Sequence, residues 1–226
     1  MKLTQIATLA LAAIFAVAAT PNKGAGNWNL TVEETEAGHR IGNPDAKVKL
    51  IEFVSYTCPH CAHFAHDGDG ALQLAYIGPG KVSVEVRHIV RDPADLTATL
   101  LANCGTKDKF AQNHAAFMLR QDDWLPVYRN APQGQLQAWS AGGAAQRRSI
   151  ASKLGFYQIM EQRGYRRTEV DTCLADEAEA QRFEALTEKN FDEFMIGGTP
   201  SFAIDGVTLA GTHDWLMLQP QLDARF

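Results

Sequence analysis

Long apolar runs are almost absent from this sequence of 226 residues. The exception is the stretch 6–19, which follows Lys2 and is short and rich in alanine for a segment that spans a bilayer. A charged start, a short apolar run and small residues are typical of a secretory signal peptide. We predict a signal peptide over residues 1–19, cleaved near residues 18–20, so that the chain is exported. An uncleaved N-terminal anchor is the alternative.

Positive charge is also scarce. The chain has 21 Lys and Arg against 26 Asp and Glu, which gives a net charge of −5, and no basic stripe is present. This balance argues against a nucleic-acid partner. No internal repeat is visible, and the composition is that of an ordinary soluble globular protein. The length fits one domain of fair size, or one domain with an inserted second lobe.

Cysteine is rare, but the chain has four cysteines, an even number that could form two disulfides. Export to an oxidising compartment would permit disulfides. Cys58 and Cys61 pair naturally because they lie three positions apart. Cys104 and Cys173 then remain, and they could form a structural disulfide. In the chain-entropy model such a bond would stabilise the folded protein by about 4 kcal/mol. Two buried free thiols are the alternative, since the sequence alone does not fix the pairing.

The patterns for bound metal or haem are incomplete. Ala62 rather than histidine follows Cys61, which excludes a c-type haem attachment. The segment 67–70 lacks the third acidic position and the distal glutamate of a calcium loop. His63 and His66 lie close to the two cysteines, and such ligands suit zinc or copper(I). Cys61, His63 and His66 do not share one helix face, so a metal-binding protein is only a minor alternative and we expect no metal.

Hydrophobic periodicity divides the chain into three parts. The first part has strands at about 47–55 and 82–90 with a helix from Cys58 between them, which predicts a parallel βαβ unit. The second part, about 95–180, shows only helical spacing. The third part has a helix over 178–195, a hairpin with strands 201–204 and 207–210, and a final helix at about 214–224. Asp205-Gly206 predicts the type I′ turn of that hairpin.

The most informative motif is Cys58-Pro59-His60-Cys61, directly after the first apolar strand. A helix that starts at Cys58 aims its free backbone N–H groups and the positive end of its dipole at the sulfur, which stabilises a thiolate. Pro59 is tolerated in the first turn. The thiolate is the reactive form of cysteine. Because Cys61 can attack Cys58 and close a disulfide, we predict a redox switch.

This motif, the order of elements and Gly198-Thr199-Pro200 before a hairpin resemble the DsbA family of periplasmic thiol:disulfide oxidoreductases. The resemblance covers nearly the whole mature chain. It implies an α/β, thioredoxin-like fold with an inserted all-helical domain. The expected domains are a first thioredoxin-like part over 20–93, the helical insertion over 94–177, and a second thioredoxin-like part over 178–226.

The resemblance also implies roles for the residues of the motif. Cys58 would be the exposed nucleophile, and Cys61 the buried partner that resolves mixed disulfides. His60 would support the Cys58 thiolate through a hydrogen bond or its charge, and Pro59 would tune the site with it. Glu52 would be a buried acid beneath the site that relays a proton for Cys61. A solvent-facing glutamate and an ordinary surface histidine are the alternatives for Glu52 and His60.

Two further residues follow from the same resemblance. Pro200 would be a cis proline that faces the disulfide, and cis X–Pro bonds are uncommon. The backbone of Thr199 would then be presented to an extended substrate, and its side chain would tune the redox potential. A trans Pro200 is the alternative.

The implied function is a periplasmic protein disulfide oxidase that acts on exported proteins with reduced cysteines. A membrane reoxidant of the DsbB type would regenerate it, and no cofactor is expected. A disulfide isomerase or reductase of the same fold is the alternative. Isomerases of this kind usually dimerise through a further N-terminal domain, whereas about two dozen mature residues precede the first strong strand here. We therefore expect a monomer and favour the oxidase.

Overall fold

The computed structural model describes residues 27–226 and centres on a six-stranded mixed sheet with the order β1-β2-β4-β3-β5-β6. The predicted signal peptide over 1–19 lies outside the described residues. The strands are β1 (Val32–Glu34), β2 (Gly38–Gly42), β3 (Val48–Val54), β4 (Val82–His88), β5 (Ser201–Ile204) and β6 (Val207–Thr208).

Strands β3 and β4 form the parallel pair that the sequence predicts. Strand β3 is central and buried along most of its length, as its nearly continuous apolar sequence requires. Its other neighbour, β5, runs antiparallel to it. The turn between β5 and β6 has positive φ at both Asp205 (51°) and Gly206 (83°), which is the backbone of the predicted type I′ turn.

Most of the other regular structure in the described chain is helical. The crossover from β3 to β4 consists of helices and a π-helical turn, Gln73–Ile77. The helices are α1 (Pro59–Asp67), α2 (Asp69–Leu72), α3 (Pro93–Ala102), α4 (Phe110–Met118), α5 (Gln121–Arg129), α6 (Gln133–Trp139), α7 (Ala144–Lys153), α8 (Phe156–Gln162), α9 (Arg167–Leu174), α10 (Glu177–Phe194) and α11 (Trp215–Asp223). Helices α3 to α9 form the helical insertion between β4 and α10.

Strands β1 and β2 lie within the polar segment 21–45, for which the sequence predicts no strand. The glycines at the two ends of β2 resemble turn residues in the sequence. Gly38 has a different purpose, since a Cβ there would overlap the carbonyl oxygen of Val86 on β4. The glycine permits close pairing of the two strands and does not end one.

The two faces of β3 pack against different helices. Leu50 and Val54 belong to the core that includes helix α1, whereas Phe53 packs against Phe194 of α10 with ring centroids 4.9 Å apart. Full burial of Phe53 stabilises the fold by about 1.5–3 kcal/mol. Because side chains alternate along a strand, Glu52 shares the α1 face with Leu50 and Val54.

Cys104 and Cys173 form a disulfide with a Cα–Cα distance of 5.7 Å. The bond joins the segment after α3 to α9, so both ends lie in the helical insertion. Within residues 27–226, no helix combines the length and the apolar character that crossing a membrane requires.

Candidate active site around Cys58 and Cys61

Cys58 is the N-cap residue of α1, with an extended backbone (φ −92°, ψ 115°), and Pro59 occupies the first turn. The carbonyl oxygen of Cys58 accepts the backbone N–H of Cys61 at 3.1 Å, which closes that turn. The missing N–H of Pro59 costs nothing there, because first-turn donors have no partner within the helix. The sulfur of Cys58 therefore lies at the positive end of α1.

The expectation that Cys58 is an exposed nucleophile is wrong for this reduced structure, in which both thiols are free and Cys58 is only 3% exposed. The loop before β5 covers it, and the Sγ atom of Cys58 lies 3.0 Å from the carbonyl oxygen of Thr199, to which the protonated thiol donates. Cys58 instead forms the floor of a cleft of about 430 Å³, whose walls include Phe191 and Gly197. Cys61 is deeper, at 1% exposed.

The pKa values of the two thiols are shifted in opposite directions. A hydrogen bond from the Cys61 thiol, with smaller contributions from Thr199 and from backbone N–H groups, lowers the pKa of Cys58 to about 5, although burial opposes this. Burial raises the pKa of Cys61 well above its usual value, and the neighbouring Cys58 raises it further. At neutral pH the reduced site therefore holds a Cys58 thiolate beside a Cys61 thiol.

His60 supports this thiolate through its backbone N–H group, which lowers the pKa of Cys58. Its imidazole is exposed and lies edge-on to that of His63, with ring centroids 6.2 Å apart. The same imidazole lines a second groove that begins beside the active site. The backbone N–H group of His60 therefore stabilises the Cys58 thiolate, whereas its imidazole ring lies at the surface.

The peptide bond between Thr199 and Pro200 is cis. The buried hydroxyl of Thr199 makes no hydrogen bond to any group of residues 27–226, yet it lies close enough to both sulfurs to lower the pKa of each. The Nδ1–H group of His213 donates to the carbonyl oxygen of Pro200 at 2.8 Å. This contact ties the loop to the segment before α11.

Glu52 is 5% exposed and lies on the α1 face of β3, so the alternative of a solvent-facing glutamate is wrong. Burial, followed by the negative charge of Asp69, raises its pKa well above the usual range. Burial also raises the pKa of Tyr56, as do the neighbouring charges of Glu52 and Cys61. Tyr56 therefore lies within electrostatic reach of both the buried acid and the buried thiol.

Comparisons with known proteins agree with this geometry. A family model described as thioredoxin, Thioredoxin_4, matches residues 34–224. The chain belongs to this thioredoxin family. A solved structure named protein-disulfide isomerase, from Novosphingobium aromaticivorans, is 46% identical with a TM-score of 0.80, and the match covers 84% of this chain and 97% of that one.

The resemblance to DsbA proteins is also confirmed at the level of the fold. The α-DsbA1 structure from Wolbachia pipientis has the same fold, with a TM-score of 0.62 and 21% identity over 82% of this chain and 88% of that one. The expected fold class, thioredoxin-like with a helical insertion, is thereby confirmed.

Among curated sequences, one from Rickettsia bellii named "Putative protein-disulfide oxidoreductase" is 27% identical over 181 residues. This match covers 80% of the chain and 61% of the relative. A Rickettsia typhi protein of the same description, RT0103, is 29% identical over 168 residues, which cover 74% of the chain and 54% of the relative. The chain thus spans a little over half the length of these two relatives.

Two residues that the sequence analysis missed hold the loop before Cys58 in this member of the family. Gln121, 2% exposed on α5, donates through Nε2 to the carbonyl oxygens of Tyr56 at 2.7 Å and Cys58 at 2.9 Å. Asp95 of α3 accepts the backbone N–H of Tyr56 at 2.8 Å and the hydroxyl of Ser55 at 2.5 Å. The helical insertion therefore fixes the backbone that positions Cys58.

No group of three or more His, Cys, Asp or Glu side chains among residues 27–226 has the arrangement of a metal site. His63 and His66 are exposed on α1, whereas Cys61 is buried beneath it. The residues named in the metal-binding alternative therefore do not converge on one point.

Proposed function

We propose that the protein is a protein disulfide oxidase that acts through Cys58 and Cys61. The observation that carries this proposal is the Cys58 thiol, whose pKa is lowered to about 5 at the start of α1. A stabilised thiolate stabilises the reduced dithiol, and a disulfide whose reduced form is stabilised is a strong oxidant. DsbA is the established example of this relation.

In the proposed reaction, a substrate thiolate attacks the Cys58 sulfur of the Cys58–Cys61 disulfide. The S–S bond breaks, its electron pair passes to Cys61, and the Cys61 thiolate takes up a proton. A second substrate thiolate then attacks the substrate sulfur of the mixed disulfide and releases the Cys58 thiolate. Two substrate thiols become a disulfide, and the enzyme disulfide becomes a dithiol.

The substrate class is a polypeptide with reduced cysteines. A groove of about 860 Å³ runs from His60 along Thr199 and Gly197, which places it beside the thiols. Met195, which is 82% exposed, lines this groove. It supplies an apolar contact that does not require a particular substrate sequence. An extended segment in the groove would bring its cysteine to Cys58.

We further propose a periplasmic location, export by cleavage of residues 1–19, a monomeric state and reoxidation by a membrane partner of the DsbB type. The charged and apolar start of the sequence supports export. An oxidant of exported proteins must itself be reoxidised after each cycle, which requires such an electron acceptor.

The second candidate function is disulfide isomerisation. It is favoured by the name of the Novosphingobium aromaticivorans structure, a protein-disulfide isomerase 46% identical to this chain. An isomerase starts its cycle with the Cys58 thiolate of the reduced enzyme, so the same site fits both reactions.

Two ribonuclease assays separate these functions. Stoichiometric oxidised protein should form disulfides in reduced, unfolded ribonuclease, whereas catalytic reduced protein should recover little activity from scrambled ribonuclease. Cys58→Ser should abolish the oxidation, and the double variant Cys104→Ala/Cys173→Ala, whose thiols lie in the helical insertion, should retain it. Efficient recovery of the scrambled substrate together with slow oxidation would favour the isomerase.

A further inference from the structure

A cavity of about 270 Å³ lies between the sheet, α2 and α4. Glu52, which is 5% exposed, lines the cavity, as does Asp69 in the first turn of α2. Gln73 and Gln112, which are exposed, also belong to its wall. The cavity therefore connects a buried carboxyl group to the surface of the protein.

Two polar groups that line this cavity lack a protein partner among residues 27–226. Glu52 is 5% exposed, and its backbone pairs with β4 and β5 while its carboxyl group makes no hydrogen bond with any of residues 27–226. The buried Oδ1 atom of Asn29, which also lines the cavity, has no partner among those residues either. Buried polar groups are usually satisfied by protein or water. The wall of the cavity is mostly apolar, but its volume leaves room for several water molecules, which would supply these hydrogen bonds to its few polar groups.

Asp69 and Glu52 behave as a pair. Burial raises the pKa of Asp69 to about 7, and the charge of Asp69 adds to the effect of burial on Glu52. Two carboxyl groups that repel each other in a site of low polarity hold a proton between them near neutral pH. The pair can therefore gain or lose a proton at the pH where the enzyme works.

The other titratable groups around Glu52 carry no compensating charge. His114 of α4 lines the cavity and shares a hydrogen bond with the Tyr56 hydroxyl, with 2.9 Å between its Nδ1 atom and the oxygen. Burial lowers the pKa of His114 to about 4, so it is neutral at pH 7. Burial raises the pKa of Tyr56 and of Cys61, so both are also neutral there.

We propose that Asp69 is a second proton carrier, which connects the Cys61–Glu52 pair to solvent through this cavity. This inference rests on the proposed oxidoreductase function and on the predicted role of Glu52. When the dithiol is oxidised, Cys61 loses its proton to the Glu52 carboxylate as its sulfur attacks the Cys58 sulfur of the mixed disulfide. The bond between Cys58 and the other thiol breaks, and that thiol leaves as a thiolate. The proton then passes to Asp69 and to water at the mouth beside Gln73 and Gln112. When the disulfide is reduced, the same steps run in reverse and protonate Cys61.

The test isolates the step at Cys61. Reduced protein is mixed with dithiobis(nitrobenzoate) in a stopped-flow instrument across a range of pH. Attack by Cys58 releases one coloured thiolate in a phase that depends on reagent concentration. Attack by Cys61 on the mixed disulfide releases a second in a phase that does not. The rate of this second phase in the wild type should show an inflection at about pH 7.

Asp69→Asn should move that inflection to lower pH, because Glu52 loses the negative neighbour that adds to the effect of burial on its pKa. Glu52→Gln should remove the inflection, and adding Asp69→Asn to it should change nothing more. Asp67→Asn is the matched control, since Asp67 is exposed two positions away, and it should match the wild type. An Asp69→Asn profile that superimposes on the wild type while Glu52→Gln differs would overturn the proposal.

A second variant tests the cavity without altering a carboxyl group. Ala115 of α4 lines the cavity, so Ala115→Leu should fill part of it and slow the second phase several-fold, with the first phase unchanged. An unchanged second phase would contradict the cavity route. A wild-type protein that shows no second phase would instead contradict the proposed function of Cys58 and Cys61.

Discussion

The side-chain amide of Gln121 donates to the carbonyl oxygen of Cys58 at 2.9 Å, from a helix 63 positions further along the chain. The same Nε2 atom donates to the carbonyl oxygen of Tyr56 at 2.7 Å. Both acceptors belong to buried residues, and the Cys58 oxygen also accepts the backbone N–H of Cys61, whereas the Tyr56 oxygen has no other donor among residues 27–226. Through this contact the helical insertion determines where the N-cap of α1, and hence the reactive sulfur, is held.

Gln121→Leu should destabilise the protein, because a buried carbonyl left without a donor costs about 1–3 kcal/mol. We expect a lower midpoint of denaturant unfolding and a less reactive Cys58, measured by its rate of alkylation. Gln137→Leu, at an exposed position of α6, is the control and should change neither quantity. Equal stability of the Gln121→Leu variant and the wild type would contradict this role.

Thr199→Val should raise the pKa of Cys58. The Thr199 hydroxyl lowers that pKa in the wild type, and valine keeps the shape of the side chain without the donor. A pH titration of thiolate absorbance in the ultraviolet measures the change. Thr172→Val on the exposed face of α9 serves as the control, and an unshifted titration in Thr199→Val would exclude the hydroxyl as a cause.

His114 should make the stability of the protein depend on pH in the acidic range. Burial lowers its folded-state pKa from 6.5 to about 4, so the unfolded chain binds the proton first as the pH falls. The stability that neutral His114 contributes is complete above pH 6.5, and about 3 kcal/mol of it is lost as the pH falls to 4.

The measurement is the free energy of unfolding of the wild type and of His114→Gln at several pH values. The difference between the two proteins should change between pH 6.5 and 4 and be constant above this range. His66→Gln, at an exposed position of α1, should follow the wild type throughout. A difference that does not vary with pH would show that His114 does not titrate in this way.

Removal of the Cys104–Cys173 disulfide should cost about 4 kcal/mol, because the bond closes a loop with a sequence separation of 69 in the unfolded chain. The double variant Cys104→Ala/Cys173→Ala should unfold at a lower temperature yet keep the thiolate titration of Cys58. Calorimetry and ultraviolet absorbance measure the two effects. A shifted Cys58 titration would mean that the bond also shapes the active site.

The sequence predicts those features that depend on neighbouring residues. The apolar run of β3, the cysteine and proline at the start of α1, and the Asp205-Gly206 turn are local signals, and the βαβ order follows from them. The resemblance to the DsbA family added the fold and directed attention to Glu52, Thr199 and Pro200.

Features that depend on distant contacts could not be predicted in the same way. Cys58 is buried because the loop at Thr199, 141 positions away, covers it. Gln121 resembles any polar residue at the start of a helix until the fold brings it to Cys58. Asp69 lies between two glycines in a segment that resembles a surface turn, and only the cavity shows that it faces Glu52.

The redox equilibrium between Cys58–Cys61 and glutathione tests the central claim most directly. Wild-type protein is equilibrated with mixtures of reduced and oxidised glutathione, and the reduced fraction is measured after acid quenching and thiol alkylation. The low pKa of Cys58 predicts a potential more positive than about −200 mV, on the oxidising side of the glutaredoxins. A more negative value, towards the −270 mV or so of thioredoxin, would contradict the account.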